Sequence, residues 1–258
     1  MEPFPSQPLA PAASRPPLRL SVLGHTEIEG RPGAEALLSQ PKRFALLVYL
    51  ALARPRGFQR RDRVVAVFWP AHDQEGGRAA LRKALYALRQ ALGDDAIIAR
   101  GDEDLAVNGD VLWCDAAEVD VAIAQGRLAQ AMALYRGDLL DGWFGDTPAF
   151  EQWVELERAR LREATADAAW ALAQRFEAGA ELTMATRWAR TVARLAPLDE
   201  RVIRRVIQLL DRSGDRAGAV RAYEDFAARC RRELEVEPAP ETTALIQRLR
   251  GQLGSSST

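Results

Sequence analysis

The sequence predicts a mainly α chain: an N-terminal winged helix-turn-helix with a small β-sheet, followed by an all-α helical repeat domain of tetratricopeptide type. Three observations predict it. Between residues 18 and 107, short alternating strands, three helical stretches and a hairpin signal follow one another in the order of a winged helix. From about residue 116 the pattern is helical to the end. Within that part a weak repeat recurs at an offset of 34–35 residues, the period of helix pairs that stack on their neighbours.

The expected divisions are a disordered tail over 1–17, a winged helix over 18–115, a repeat domain over 116–252 and a polar tail over 253–258. The first tail holds six of the fourteen prolines and no apolar segment of signal-peptide type. Residues 18–38 read as short strands. Leu18, Leu20 and Val22 alternate with polar or neutral neighbours, as do the residues of Glu27-Ile28-Glu29, and Gly24, Gly30 and Pro32-Gly33 punctuate them. Pro41 suits the first turn of a helix, and the run from Lys42 to Arg54 is apolar nearly all round, which makes that helix central. A second helix is expected over Arg60–Trp69, where Val64/Phe68 and Val65/Trp69 are i, i+4 pairs, and Pro70 ends it. A loop over Ala71–Gly77 leads to a third helix, Arg78–Leu92, with the stripe Leu81, Leu85, Leu88, Leu92. Ile97-Ile98 and Leu105–Val107 flank Gly101-Asp102-Glu103-Asp104 as a hairpin. In the helical part, Ala185, Trp188 and Ala189 parallel Ala219, Ala222 and Tyr223, with Gly179 and Gly214 in the preceding turns.

Composition removes several classes of function. Neither lysine, Lys42 or Lys83, follows a glycine, so a P-loop is excluded. His25 and His72 have no metal-ligand spacing, and no GxGxxG or GxSxG occurs. No catalytic residue, metal or cofactor is expected, and the chain reads as no enzyme. Cys114 and Cys230 read as buried free thiols of a cytoplasmic protein. The longest apolar run, Phe44–Ala53, is ten residues, too short for a bilayer, so no membrane partner is expected. The tryptophans at 113, 143, 153, 170 and 188 read as packing anchors.

The net charge of −1 hides a strong asymmetry. Residues 41–93 carry 11 basic and 3 acidic side chains, and residues 94–157 carry 3 basic and 15 acidic. A small module with a net charge of +8 has the electrostatic footprint of a phosphate binder. Opposite the leucine stripe of the third helix lie Arg78, Arg82, Lys83, Tyr86 and Arg89. Such a face suits a DNA major groove, with Arg82, Tyr86 and Arg89 expected nearest the bases and Arg78 and Lys83 toward phosphate. Lys42, Arg43, Arg60, Arg61 and Arg63 are candidates for DNA-backbone contacts. The acidic segment reads as solvated surface, a partner surface or a counterweight to the basic helix.

Residues 18–115 resemble the OmpR-type winged helix of bacterial regulators, on "LRLSVLGHTEIEG", "QPKRFALLVYLAL", "FWPAHDQEGGRAALRKALYALRQALGDD" and "DLAVNGDVLWCD". Residues 116–250 resemble the bacterial transcriptional activator domain, on "ALYRGDLLDGW", "FEQWVELERARLRE" and "ARLAPLDERVIRRVIQLLDRSGDRAGAVRAYEDFAARCRRELEVEPAPETTALIQRLR". Together they are similar to the antibiotic-regulatory-protein class of activators. The resemblance implies a regulator that binds promoter direct repeats as a dimer and contacts RNA polymerase and its sigma factor. It also implies a recognition helix at Arg78–Leu92 and a polymerase-contact loop containing His72, Asp73, Gln74 and Glu75. Two places depart from the pattern: the wing tip is acidic at Asp102, Glu103 and Asp104, and Gln59-Arg60 replaces the usual Ser or Thr cap. The competing reading is a tetratricopeptide-like interaction scaffold whose winged helix docks protein rather than DNA.

Overall fold

The computed structural model describes residues 18–143 and 147–254. The expected tail over 1–17 lies outside the described residues. The described chain divides into two compact units, one of residues 18–21, 26–114 and 147–150, the other of residues 22–25, 115–143 and 151–254.

In the first unit, β1 (Leu18–Ser21) pairs antiparallel with β2 (Glu27–Glu29), and Leu20 stands opposite Ile28. The alternation seen in the sequence is realised: Leu18, Leu20 and Ile28 are buried and their neighbours are not. Not all of 18–38 is strand, however. Ala34–Ser39 forms a 3₁₀ helix that buries Ala34 and Leu37. α1 (Pro41–Leu52) follows, with Pro41 at its start and every residue from Phe44 to Leu50 buried. A helix apolar all round has to be surrounded, and this one is.

Gln59-Arg60 forms β3, and α2 (Arg61–Phe68) starts one residue after the expected position. The missing Ser or Thr cap is explained by this strand. Arg60, at the cap position, is in extended backbone and pairs with Asp104, while the Arg61 N–H donates to the Glu103 carbonyl at 2.8 Å. The backbone of the hairpin turn thus accepts from one of the first-turn N–H groups of α2 that have no partner within the helix.

α3 (Gln74–Leu92) begins four residues before the expected Arg78. Asp73 is its N-cap, and its Oδ1 accepts from the Gly76 N–H at 2.8 Å. The pair Gly76-Gly77 reads as loop by propensity, but packing requires a small residue here. A Cβ on Gly77 would lie 2.4 Å from Val65 Cγ1, so the glycine lets α3 approach α2. Leu81, Leu85, Leu88 and Leu92 are all buried, as the stripe required.

β4 (Ile97–Arg100) and β5 (Asp104–Val107) make the hairpin, and β3 adds to its edge to give the order β3-β5-β4. A strand with no separate place in the periodicity, β6 (Leu112–Cys114), pairs in parallel with β1, opposite Leu18 and Leu20. Arg19 lies over the Trp113 ring at 4.0 Å on that sheet.

The second unit is helical. α4 (Asp115–Ala124) and α5 (Leu128–Leu134) form one pair, α6 (Pro148–Ala178) and α7 (Leu182–Leu195) a second, α8 (Glu200–Arg212) and α9 (Arg216–Leu234) a third, with α10 (Pro240–Gly254) after them. The first turn of α6 belongs to the first unit, where Phe150 packs on Phe68 at 5.3 Å. Residues 22–25 belong to the second unit for a visible reason. The buried Asp115 carboxylate accepts from the N–H groups of Val22, Leu23 and Ala116, and Leu23 bridges to Leu139.

The repeat is borne out in the core. Ala185 and Ala219, 34 residues apart, are both fully buried in one cluster with Ile203, Val206, Leu210 and Phe226. Gly214 takes a left-handed φ of 82°, but in the turn before α7 the left-handed residue is Ala180 at 60°, next to the expected Gly179. Both cysteines are buried, and neither is in a disulfide. Among the described residues no helix is long and apolar enough to cross a membrane.

Candidate nucleic-acid interface

α3 presents the basic face, and its side chains fall into two groups. Arg82, Lys83 and Tyr86 are exposed, Tyr86 by 67%. Among the described residues no acid forms an ion pair with Arg82 or Lys83. Arg78 and Arg89 are half-buried and committed. Arg78 pairs with Asp62 at 2.8 Å and with Glu103 at 3.6 Å, and the Asp62 hydrogen bond holds its guanidinium more firmly protonated than usual. Arg89 Nε and Nη2 donate to the Ile97 carbonyl at 3.2 and 3.0 Å, which fixes the end of α3 to the start of β4. Arg89 thus lines the same depression as Arg82 and Tyr86, but with Nε and Nη2 committed to the Ile97 carbonyl.

The surface around α3 shows which residues come together. Arg43, Lys83, Gln90, Arg82 and Tyr86 line one depression. Arg61, Arg78, Arg89, Asp94, Asp102, Arg82 and Tyr86 line another. Arg82 and Tyr86 belong to both and so form the ridge between them. Gln90, one turn beyond Tyr86, was absent from the sequence-derived set. Its signal was its spacing from Lys83 and Tyr86 on an amphipathic helix.

The candidates on the first two helices divide similarly. Arg43 is exposed, with its guanidinium on Gln40 Oε1. Lys42 lies over the Trp69 ring at 5.8 Å. Arg60 is exposed and pairs with Glu103 at 3.5 Å. Arg61 Nε is buried without a hydrogen-bond partner. Arg63 donates to the Arg54 carbonyl at 3.1 Å and opposes the upward push that burial exerts on the Tyr49 hydroxyl. At the wing tip Arg100 pairs with Asp104 at 2.7 Å and lies over the Phe58 ring at 4.5 Å.

The expected loop with His72, Asp73, Gln74 and Glu75 needs correction. His72 and Asp73 precede α3, but Gln74 and Glu75 are its first turn, because Asp73 caps the helix there. All four are exposed.

The acid excess of residues 94–157 is partly consumed within each unit. In the first, Glu103 and Asp104 hold Arg60, Arg78 and Arg100. In the second, Asp120 and Glu157 hold Arg160, and Asp138 holds Arg162.

Comparison with known proteins fits this architecture. The family described as "Bacterial transcriptional activator domain" matches residues 114–250, more than half of the chain. The chain belongs to the bacterial transcriptional activator domain family. Its members are transcription regulators, not enzymes. Within the family the chain is similar to Regulatory protein AfsR of Streptomyces griseus, at 30% identity over 256 residues. That match covers 90% of this chain and 24% of AfsR, so the chain spans about a quarter of that relative's length. A solved structure titled Mycobacterium tuberculosis EmbR in complex with low affinity phosphopeptide superposes with a TM-score of 0.60 at 22% identity. It covers 92% of this chain and 65% of that one, a likeness of fold. The activator-domain match begins at Cys114, beside the division of the two units between residues 114 and 115.

Proposed function

We propose that the chain is a sequence-specific DNA-binding transcriptional regulator of the cytoplasm. In this reading it is an activator that binds promoter direct repeats as a dimer and contacts RNA polymerase and its sigma factor through the exposed segment 71–75. The observation that carries DNA binding is the outer face of α3. Arg82, Lys83 and Tyr86 are exposed, no acid occurs from Arg78 to Gly93, and Arg82 and Tyr86 form a ridge on the surface. An arginine on such a ridge can donate two hydrogen bonds to one guanine edge, and the lysine beside it can meet phosphate. Family membership supports the regulatory role.

The test is selection from a random pool of duplex DNA with the full chain and with Arg82→Ala. The expected result is an enriched motif for the native chain and a relaxed one for the variant. Flat enrichment with the native chain would instead favour the interaction scaffold.

A further inference from the structure

The second unit contains a groove of about 950 Å³ between α5 and α7, closed at one end by the α8–α9 turn. Its volume lies in the range of small-molecule sites, about 300–1,000 Å³. Met132, Trp188 and Leu195 give it an apolar floor, and that floor rests on the buried cluster of Ala166, Ala169 and Val192.

The rim is cationic. Arg187, Arg190 and Arg194 stand on α7 at spacings of three and seven residues, hence on one helical face, and Arg136 adds a fourth guanidinium from the end of α5. The lining includes one acid, Asp215, which is already engaged. It accepts from the Gly218 N–H at 2.8 Å as the N-cap of α9 and pairs with Arg190 at 2.9 Å. Arg194 donates to Thr191 Oγ1 at 2.9 Å, and among the described residues no acid pairs with Arg136, Arg187 or Arg194. Elsewhere in this unit Arg160, Arg162, Arg205 and Arg216 each have a carboxylate. Three like charges left without counterions around one concavity repel one another, and a bound anion relieves that repulsion. The hydroxyls of Thr183, Thr191 and Ser213 add neutral donors and acceptors to the same lining.

We propose that this groove binds a small organic anion, with an apolar body on Met132, Trp188 and Leu195 and a carboxylate, sulfonate or phosphate on Arg187 and Arg194. The size of the cavity and the pairing of an apolar floor with unmatched guanidinium groups specify this class of ligand. The site is independent of the proposed DNA interface, because it shares no residue with it.

The test uses the full chain and two fluorescent probes of nearly the same shape, 8-anilinonaphthalene-1-sulfonate and its uncharged analogue N-phenyl-1-naphthylamine. The expected result is saturable binding of the sulfonate at one site, at least tenfold tighter than the neutral probe and weakened by salt. Arg187→Glu combined with Arg194→Glu should weaken sulfonate binding at least tenfold and leave the neutral probe within about twofold. Met132→Trp, which fills the floor, should weaken both. Arg82→Ala with Lys83→Ala should change neither, so a failed DNA interface does not affect this result. Circular dichroism of each variant establishes that it is folded. Absence of saturable sulfonate binding, equal affinity for both probes, or indifference to the double charge reversal would overturn the proposal.

Discussion

Arg82 and Arg89 lie seven residues apart on one helix and look alike in the sequence, but the structure gives them different work. Arg82→Ala is expected to lower discrimination between target and scrambled DNA by about 1–3 kcal/mol with an unchanged melting temperature. Arg89→Ala should instead lower stability, because hydrogen bonds from a charged group contribute about 1.5–3 kcal/mol and the Ile97 carbonyl loses two of them. Thermal denaturation of the two variants alongside binding assays separates these outcomes. The face of α3 was legible from its spacing. The commitment of Arg89 was not, because its acceptor is a backbone carbonyl on another element, and periodicity carries no information about that. Asp138 offers a pH test at the same scale. Burial opposes its ionisation, but hydrogen bonds from Arg162 and Tyr135 and the charges of Arg162 and Arg158 outweigh burial and hold the carboxyl below its ordinary value of 3.8. A carboxyl lowered by folding contributes stability above its unfolded value, and that contribution is lost as the pH falls through the folded value. The melting-temperature gap between the native chain and Asp138→Asn is therefore expected to be full at pH 6 and to close progressively below pH 3.8. A gap that stayed constant to pH 2 would contradict this assignment.

At the scale of elements, helices and strands with an internal period were readable, and elements set by a neighbour were not. α1 and the core stripe of α3 follow from spacing. The start of α3 depends on a contact between Gly77 and Val65, and β6 depends on finding β1 more than 90 residues earlier. Gly77→Val should lower stability by about 1–3 kcal/mol by overpacking the α2–α3 contact. Val65→Ala, which removes the obstructing methyl groups, should restore part of that loss, and a double-mutant cycle measures the coupling. The turn before α7 gives the opposite prediction. Ala180 holds a left-handed conformation at a φ of 60°, which for a residue with a Cβ costs roughly 1 kcal/mol. Ala180→Gly is expected to raise the melting temperature, whereas Gly179→Ala, at a φ outside that region, should not lower it by a comparable amount.

For the whole molecule, the division into two kinds of unit was legible because the hydrophobic period changes near residue 115, whereas the charge changes sign earlier, near residue 94. The exchange of short segments was not: residues 22–25 join the second unit through backbone N–H groups bound to Asp115, and backbone groups leave no mark in composition. The net charge also has to be read with its pairings. Of the basic residues near α3, Arg60 and Arg78 have carboxylates beside them, whereas Arg43, Arg82 and Lys83 are exposed, which makes these three the main candidates for phosphate contacts in the proposed complex. With about 3–4 phosphates neutralised per protomer, the logarithm of DNA affinity should fall with the logarithm of salt at a slope of about −3 to −4. Glu103→Gln, by releasing Arg60 while Arg78 stays with Asp62, should steepen the slope by up to about one and tighten binding to any sequence. Glu103 also has a kinetic meaning. In the proposed complex with DNA, its carboxylate and that of Asp62 would compete, as groups of the same chain, with phosphate for the guanidinium groups of Arg60 and Arg78. Each time such a contact opens, the arginine has a partner waiting within its own chain. On the proposed DNA-binding reading, such contacts would shorten the dwell time on a wrong sequence, and residence on the right one would rest on the exposed Arg82, Lys83 and Tyr86.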